Sequence, residues 1–258
     1  MLRIYNILKN ALFPPVCKAC GRFFHVAIDG RDPAAAKAPA GLEALFRRLM
    51  AEHLCHGCLK RFEAAESPIC VRCGLIFKSR QGGDHLCGEC LGGEKPFGIA
   101  RAAGVYDQAL MAVIHAFKYK GRIQLGPPLA DLLAALYKRH WRERTIDLVI
   151  PVPLHPSRYR ARGFNQAYLL TRSWGDPVDQ GVLVRRRKTA SQTGLGRRKR
   201  LTNIRGAFSV KSPAKVKNRR ILLVDDVYTT GSTVNECART LLKGGAREVD
   251  ILTLARAV

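Results

Sequence analysis

Residues Arg220 to Ala238 read RILLVDDVYTTGSTVNECA. Four consecutive apolar residues, Ile221 to Val224, run into Asp225 and Asp226, and Thr229, Thr230, Gly231, Ser232 and Thr233 follow before an amphipathic pattern begins. That order spells a buried strand, a polar loop and a helix start. An apolar run without alternation suits a central parallel strand covered on both faces, and ligands of such sheets bind beyond the carboxyl ends of the strands. Hydroxyls and N–H groups at a helix N-terminus favour an anion such as a phosphate. Asp pairs and Ser/Thr clusters are also ordinary turn chemistry. Here strand, acids, glycine and helix arrive in one unbroken order, the context a site motif needs.

The stretch resembles the phosphoribosyl pyrophosphate (PRPP) loop of type I phosphoribosyltransferases. By that resemblance Asp225 and Asp226 contact the ribose 2- and 3-hydroxyls, and Thr229, Thr230, Gly231, Ser232 and Thr233 wrap the 5-phosphate.

At 258 residues the chain holds one α/β domain of ordinary size and a small appendage. Its net charge of +24 predicts attraction to polyanions: nucleic acid, phosphorylated small molecules or an anionic membrane. No run approaches the roughly 18 apolar residues that span a bilayer. Ile4, Ile7, Leu8 and Leu12 share one face of an expected N-terminal helix, and Asn6, Lys9 and Asn10 interrupt any secretory apolar run. That helix reads as one docked on the protein body.

Eight of the nine cysteines fall into C-x-x-C pairs: Cys17 and Cys20, Cys55 and Cys58, Cys70 and Cys73, Cys87 and Cys90. This is metal-ligand spacing, which fits a reducing cytoplasm better than a disulfide framework. Each pair is a knuckle presenting two thiolates, and two knuckles complete a tetrahedral Zn²⁺ site, so eight ligands make two structural zincs. Sequential pairing gives a double zinc ribbon; interleaved pairing is the alternative. Redox C-x-x-C motifs come singly beside a βαβ pattern, which is not the case here. His25, His53, His56 and His85 lie nearby as candidate bystanders. Between Cys20 and Cys55, Asp32 to Ala40 reads as a linker, and Leu42, Leu45, Phe46, Leu49 and Met50 mark a helix inserted at about 32–54.

From Pro96 the cysteines stop. The expected organisation is therefore 1–95 as an N-terminal helix and Zn-stabilised double ribbon, and 96–258 as the sheet domain. Gly98 to Tyr106 reads as a strand, Leu110 to Phe117 as one helix face, and Pro127 and Pro128 as the start of another helix. Lys118, Tyr119 and Lys120 have two readings, cations favoured at a helix C-terminus or members of a site. Asp147 to Val152 is a second buried strand. The loop expected after it carries His155, Arg158, Arg160 and Arg162, ahead of a helix including Phe164, Ala167 and Leu170. Loops after parallel strands converge, so this basic loop faces the acid and phosphate loop, where arginines suit a pyrophosphate. His155 is either an acid or base, or structural. A short strand, Gly181 to Arg185, precedes a basic polar segment from Arg186 to Phe208. Arg158 to Arg220 holds eighteen Lys and Arg against two Asp, a density that calls for anion contact, whether substrate phosphates or a nucleic acid backbone. Val234, Cys237, Ala238, Leu241 and Leu242 form the apolar stripe of the helix that follows Ser232, and Glu248 to Leu254 is a last strand.

Taken together, PVPLHPSRYRARGFNQA (151–167), RRRKTASQTGLGRRKRLTNIRGAF (185–208) and ILLVDDVYTTGSTVNECARTLLKGGA (221–246) resemble the ComF family, as the knuckles resemble its double zinc ribbon. The resemblance implies a type I phosphoribosyltransferase-like parallel sheet flanked by helices. It also implies a pyrophosphate loop at Pro153, Leu154 and His155, a mobile loop between the strands near Val184 and Phe208, and a link to DNA uptake in natural transformation. PRPP with Mg²⁺ is then the ligand. Single-stranded DNA or a DNA-uptake helicase is the implied partner, and the implied place is the cytoplasm, at the inner face of the membrane through that partner. In an enzyme of this kind Arg158, Arg162, Arg186 and Lys188 neutralise charge on the departing pyrophosphate. Two rival readings use the same site: a nucleic-acid-binding accessory protein without turnover, and a regulator for which PRPP is an effector.

Overall fold

A computed structural model of the protein describes residues 13–25, 41–79, 81–172, 174–175, 177–188 and 204–258. The expected N-terminal helix, the Asp32 to Ala40 linker and most of the polar segment between Lys188 and Ile204 lie outside the described residues.

The centre is a parallel sheet of β1 (Ala100–Val105), β2 (Leu148–Pro151), β5 (Arg220–Tyr228) and β6 (Glu248–Arg256), in the order β1-β6-β5-β2. Two short strands, β3 (Leu183–Arg185) and β4 (Phe208–Val210), form a separate antiparallel pair. Among the described residues the α-helices are α1 (Leu42–Met50), α2 (His56–Lys60), α3 (Gly88–Leu91), α4 (Gln108–Tyr119), α5 (Gly126–Trp141), α6 (Pro156–Arg162), α7 (Gln166–Leu169), α8 (Pro213–Val216) and α9 (Ser232–Lys243).

The continuous apolar run in β5 is explained by burial on both faces. Leu222 and Val224, with Leu252 and Leu254 of β6, pack against Leu129, Leu132, Leu133 and Leu136 of α5. Ile221 and Leu223, with Val249 and Ile251, pack against Val234, Cys237, Ala238 and Leu241 of α9. Each face also takes in one set of cysteines. Cys17 and Cys58 join the α5 core together with Phe46 and Met50 of α1, whose ring Phe46 stacks on Phe62 at 3.9 Å. Cys70, Cys73, Cys87 and Cys90 join the α9 core. The inserted helix is thus packing surface, joining the first knuckles to α5.

Three expectations are corrected. The basic stretch after β2 is a helix, α6, and not a loop: the His155 side chain accepts the Ser157 N–H, Pro156 stands in the first turn, and Gly163 at φ +83° ends it. The following helix is the single turn α7, with Phe164 and Leu170 outside it. Strand β5 continues through the acids to Tyr228, because the register Asp225↔Thr253, Val227↔Ala255 and Tyr228↔Arg256 keeps it paired with β6, which itself runs to Arg256. Charge density hid both the caps and the pairing.

Candidate functional site

The loop after β5 is set by a glycine. Gly231 has φ +74° and directly precedes α9. An added Cβ there would lie 2.8 Å from Oη and 2.9 Å from Cζ of Tyr228, so the Tyr228 ring occupies the space a side chain would need. Tyr228 is held in turn by Phe97, edge-on at 6.3 Å, and by the Arg256 guanidinium, 4.1 Å from the ring centre. Arg256 also donates to the carbonyl oxygens of Tyr228 (3.1 Å), Thr229 (2.7 Å) and Ala257 (2.8 Å). These bonds fix the carbonyl side of the loop, and the start of α9 follows it, a helix N-terminus being a place that suits an anion. Within the loop, the Thr230 hydroxyl donates to Ser232 Oγ at 3.2 Å.

The acid pair lies at the end of β5. Both carboxylates are buried, Asp225 at 8% and Asp226 at 4% exposure. The Asp226 N–H donates to Asp225 Oδ1 at 2.9 Å, and Lys118 Nζ of α4 lies 2.7 Å from Asp226 Oδ2. Burial, reinforced by the adjacent Asp226 charge, pushes the Asp225 carboxyl up to about 8. Burial works against the Lys118 charge, yet Asp226 beside it holds the ammonium above its ordinary range.

A cleft of about 260 Å³ joins these parts. Asp225, Asp226, Thr229 and Thr233 line one side; Pro153, Leu154, Arg158 and Arg162 line another, with Gln166 of α7 and Arg185 at the end of β3. Arg162 contacts Gln166 Oε1 and lies over the Tyr119 ring at 5.1 Å. Arg185 lies over the Phe208 ring at 5.4 Å, and burial, with Arg158 nearby, depresses its basicity. Tyr106, His115 and Tyr119 form the remaining wall, the Tyr106 hydroxyl 3.1 Å from His115 Nε2.

Of the residues expected from sequence, Asp225, Asp226, Thr229, Thr233, Pro153, Leu154, Arg158 and Arg162 therefore meet in one cleft. Thr230, Gly231 and Ser232 belong to the loop and helix start beside it and do not line it. His155 accepts the Ser157 N–H at the start of α6 and does not line the cleft. Arg186 and Lys188 are exposed just past β3 and also lie outside the lining. Arg185 and Gln166 were not foreseen, because nothing local distinguishes them. Lys118 had a signal, a lysine between a helix end and a Gly turn.

The cysteines gather as Cys17, Cys20, Cys55 and Cys58 and as Cys70, Cys73, Cys87 and Cys90, with the ligand atoms of each set within 4.8 Å of one another. Sequential pairing is thus the one observed, and no histidine joins either set among the described residues. A tetrahedron of Zn–S bonds about 2.3 Å long has edges of roughly 3.8 Å; Cys20 and Cys55 sulfurs lie 3.8 Å apart and Cys73 and Cys87 sulfurs 3.7 Å apart. The donor set fits Zn²⁺. Cys70 Sγ accepts the N–H groups of Cys73 (3.5 Å) and Cys87 (3.4 Å). Burial pushes the Cys70 thiol up, and these N–H groups outweigh it and bring it down to about 6. Zn²⁺, when bound, supplies folding energy to segments with little core of their own.

Residues 166–257 match the phosphoribosyl transferase domain model. Competence protein F of Haemophilus influenzae is 36% identical over 212 residues, covering 79% of this chain and 90% of that protein. DNA utilization protein YhgH of Escherichia coli (strain K12) is 36% identical over 214 residues with the same coverage, and competence protein ComFC of Streptococcus pneumoniae is 30% identical over 206 residues, covering 79% and 87%.

Proposed function

Because this chain belongs to the ComF family, that of competence protein F, ComFC and YhgH, we propose that its cleft binds PRPP with Mg²⁺ and that the protein uses this site in the uptake or utilization of DNA. The fold is type I phosphoribosyltransferase-like, a parallel sheet flanked by helices. The observation that carries the reading is the meeting of three chemistries in one cleft: a buried acid pair for a sugar diol, a helix start for a 5-phosphate, and arginines for a pyrophosphate. The relatives' names supply the biological setting.

The residues divide the ligand between them. Asp225 and Asp226 accept the ribose hydroxyls, the N–H groups and hydroxyls from Thr229 to Thr233 take the 5-phosphate, and Arg158 and Arg162 face the pyrophosphate. Mg²⁺ would enter with the ligand, held largely by ligand oxygens and water near Asp225 and Asp226, and would neutralise pyrophosphate charge. If a nucleophile attacks C1 of the ribose, pyrophosphate leaves toward Arg158, Arg162 and Arg185, whose charges stabilise it. The exposed Arg160, Arg186, Arg187, Lys188 and Arg205 around the same end of the fold favour DNA backbone contact as a companion role. The free, unpaired thiols fit a cytoplasmic setting, and no helix among the described residues is long and apolar enough to cross a membrane.

Calorimetric titration of PRPP with Mg²⁺ into the wild type and the Asp225→Ala/Asp226→Ala protein tests the reading. Saturable binding by the wild type and its loss in the variant are expected; equal affinity in both would sink it. A pyrophosphate-release assay across nitrogen-containing acceptors then separates enzyme from sensor.

A further inference from the structure

We propose that Lys118 is the built-in counter-cation of the diol site, so that the cleft takes 5-phosphorylated ribosyl compounds lacking a pyrophosphate, such as ribose 5-phosphate, without a divalent metal. This rests on the reading of Asp225 and Asp226 as a diol site. Two adjacent buried carboxylates repel each other and lose solvation, and such groups persist in a fold when paired. Lys118 supplies the pairing at 2.7 Å, from an element 108 residues away in sequence.

The lysine is placed there by α4. Ile114 and Phe117 are fully buried on the core side of that helix, and Lys118, four residues after Ile114, continues the same face at the helix end. Tyr119 turns the other way, 65% exposed and lying under Arg162. A lysine in a last helical turn is ordinarily accounted for by the helix dipole and projects into water. This one is folded inward, its side chain 15% exposed, onto an acid at 5%.

An ammonium has three donors. Paired with Asp226 at 2.7 Å, it still has N–H groups for the oxygens of a vicinal diol whose hydroxyl protons go to Asp225 and Asp226. Lys118 thereby does at the ribose what a divalent ion does for a ligand bearing a pyrophosphate. Ligands that lack the pyrophosphate have lost the group that carries the metal, and for them the lysine remains as the cation paired with the acids. Recognition then depends on both hydroxyls being present.

The test is calorimetric titration of ribose 5-phosphate and of 2-deoxyribose 5-phosphate in EDTA, into the wild type, Lys118→Met and Lys118→Arg, with PRPP and Mg²⁺ as the reference ligand. Wild type is expected to bind ribose 5-phosphate in EDTA and the deoxy sugar roughly tenfold or more weakly, the loss of a hydrogen bond to a charged group. Lys118→Met is expected to lose ribose 5-phosphate binding in EDTA by a similar factor, and Lys118→Arg to recover part of it. Equal affinity of the wild type for the two sugars, or a strict need for Mg²⁺ with ribose 5-phosphate, would overturn the proposal while PRPP binding stands. Failure of the wild type to bind PRPP with Mg²⁺ would instead overturn the site reading and this inference with it. The comparison of the two sugars on wild-type protein does not depend on any variant folding.

Discussion

Arg256 and Tyr228 face each other across the β5–β6 register, with the guanidinium 4.1 Å from the ring centre and donating to the Thr229 carbonyl oxygen at 2.7 Å. The loop after β5 is therefore fastened to a neighbouring strand and to the aromatic ring beside it. Replacing Arg256 by Met removes three hydrogen bonds from a charged donor and leaves the Tyr228, Thr229 and Ala257 carbonyls without it. Equilibrium denaturation is expected to show a loss of about 2–4 kcal/mol, and the affinity for PRPP to fall as the loop loosens. Unchanged affinity at reduced stability would show that the loop holds its shape without Arg256.

Gly231→Ala forces a side chain onto a φ of +74° and against Tyr228. The backbone conformation alone costs roughly 1–2 kcal/mol for an L-residue. Phosphate binding should be lost more completely than stability, because the strain falls on the turn that aims the N–H groups of α9. Comparing inorganic phosphate affinity with the denaturation midpoint checks this ordering.

Binding at the acid pair should release protons. The Asp225 carboxyl sits at about 8 in the free protein against an ordinary 3.8, so near neutrality it holds a proton that a metal- or diol-bound carboxylate gives up. The affinity for PRPP with Mg²⁺ is therefore expected to rise from pH 6.5 to 8.5. Calorimetry in two buffers of different ionisation enthalpy should register the released proton. The stability of the free protein moves the opposite way: the folded state keeps a proton the unfolded chain has lost, so this group's contribution is fully present below 3.8 and declines as pH rises toward 8. Asp225→Asn should flatten both profiles.

Two zinc ions per chain are expected by metal analysis. Cys70→Ser, or chelation, should lower the melting temperature by roughly 10 °C or more, since folding energy from the metal is lost with the site. The second cysteine set shares its core with Tyr228, so phosphate affinity is expected to fall as well. A single zinc, with wild-type melting in Cys70→Ser, would contradict the double ribbon.

Asp250 offers a control away from the cleft. It is buried and accepts from Ile99 N–H (2.8 Å), Trp141 Nε1–H (2.7 Å) and Arg144 Nη1–H (3.0 Å). Asp250→Ala strands buried donors and should cost about 2–4 kcal/mol. Ligand affinity measured well below the melting temperature should stay as in the wild type.

The run Ile221 to Val224 and the Gly231 loop were legible in sequence because local chemistry dictates them. An apolar strand, two acids and a left-handed glycine each have few structural uses. The knuckles were legible for the same reason, and sequential pairing of the cysteines is what the fold contains. Lys118 was only half legible: its partner Asp226 is 108 residues away, and no local pattern says which way a helix-terminal lysine turns. Arg185 and Gln166 carried no signal, since their role comes from where β3 and α7 end in space. The helical state of Pro156 to Arg162 was present as a cap, a proline and a closing glycine, and was outweighed by the density of arginines.

The sheet order β1-β6-β5-β2 has a consequence for how the protein is made. Ala100 and Ile251 pair directly, 151 positions apart, so β1 has no strand beside it until β6 has been synthesised and has docked between it and β5. Pairings of such long range are slow to form. The two cysteine sets, spanning only residues 17–58 and 70–90, close over far shorter separations. Short-range cysteine sets on opposite faces of the sheet and a long-range central pairing therefore divide the closure of this fold into local and late contacts.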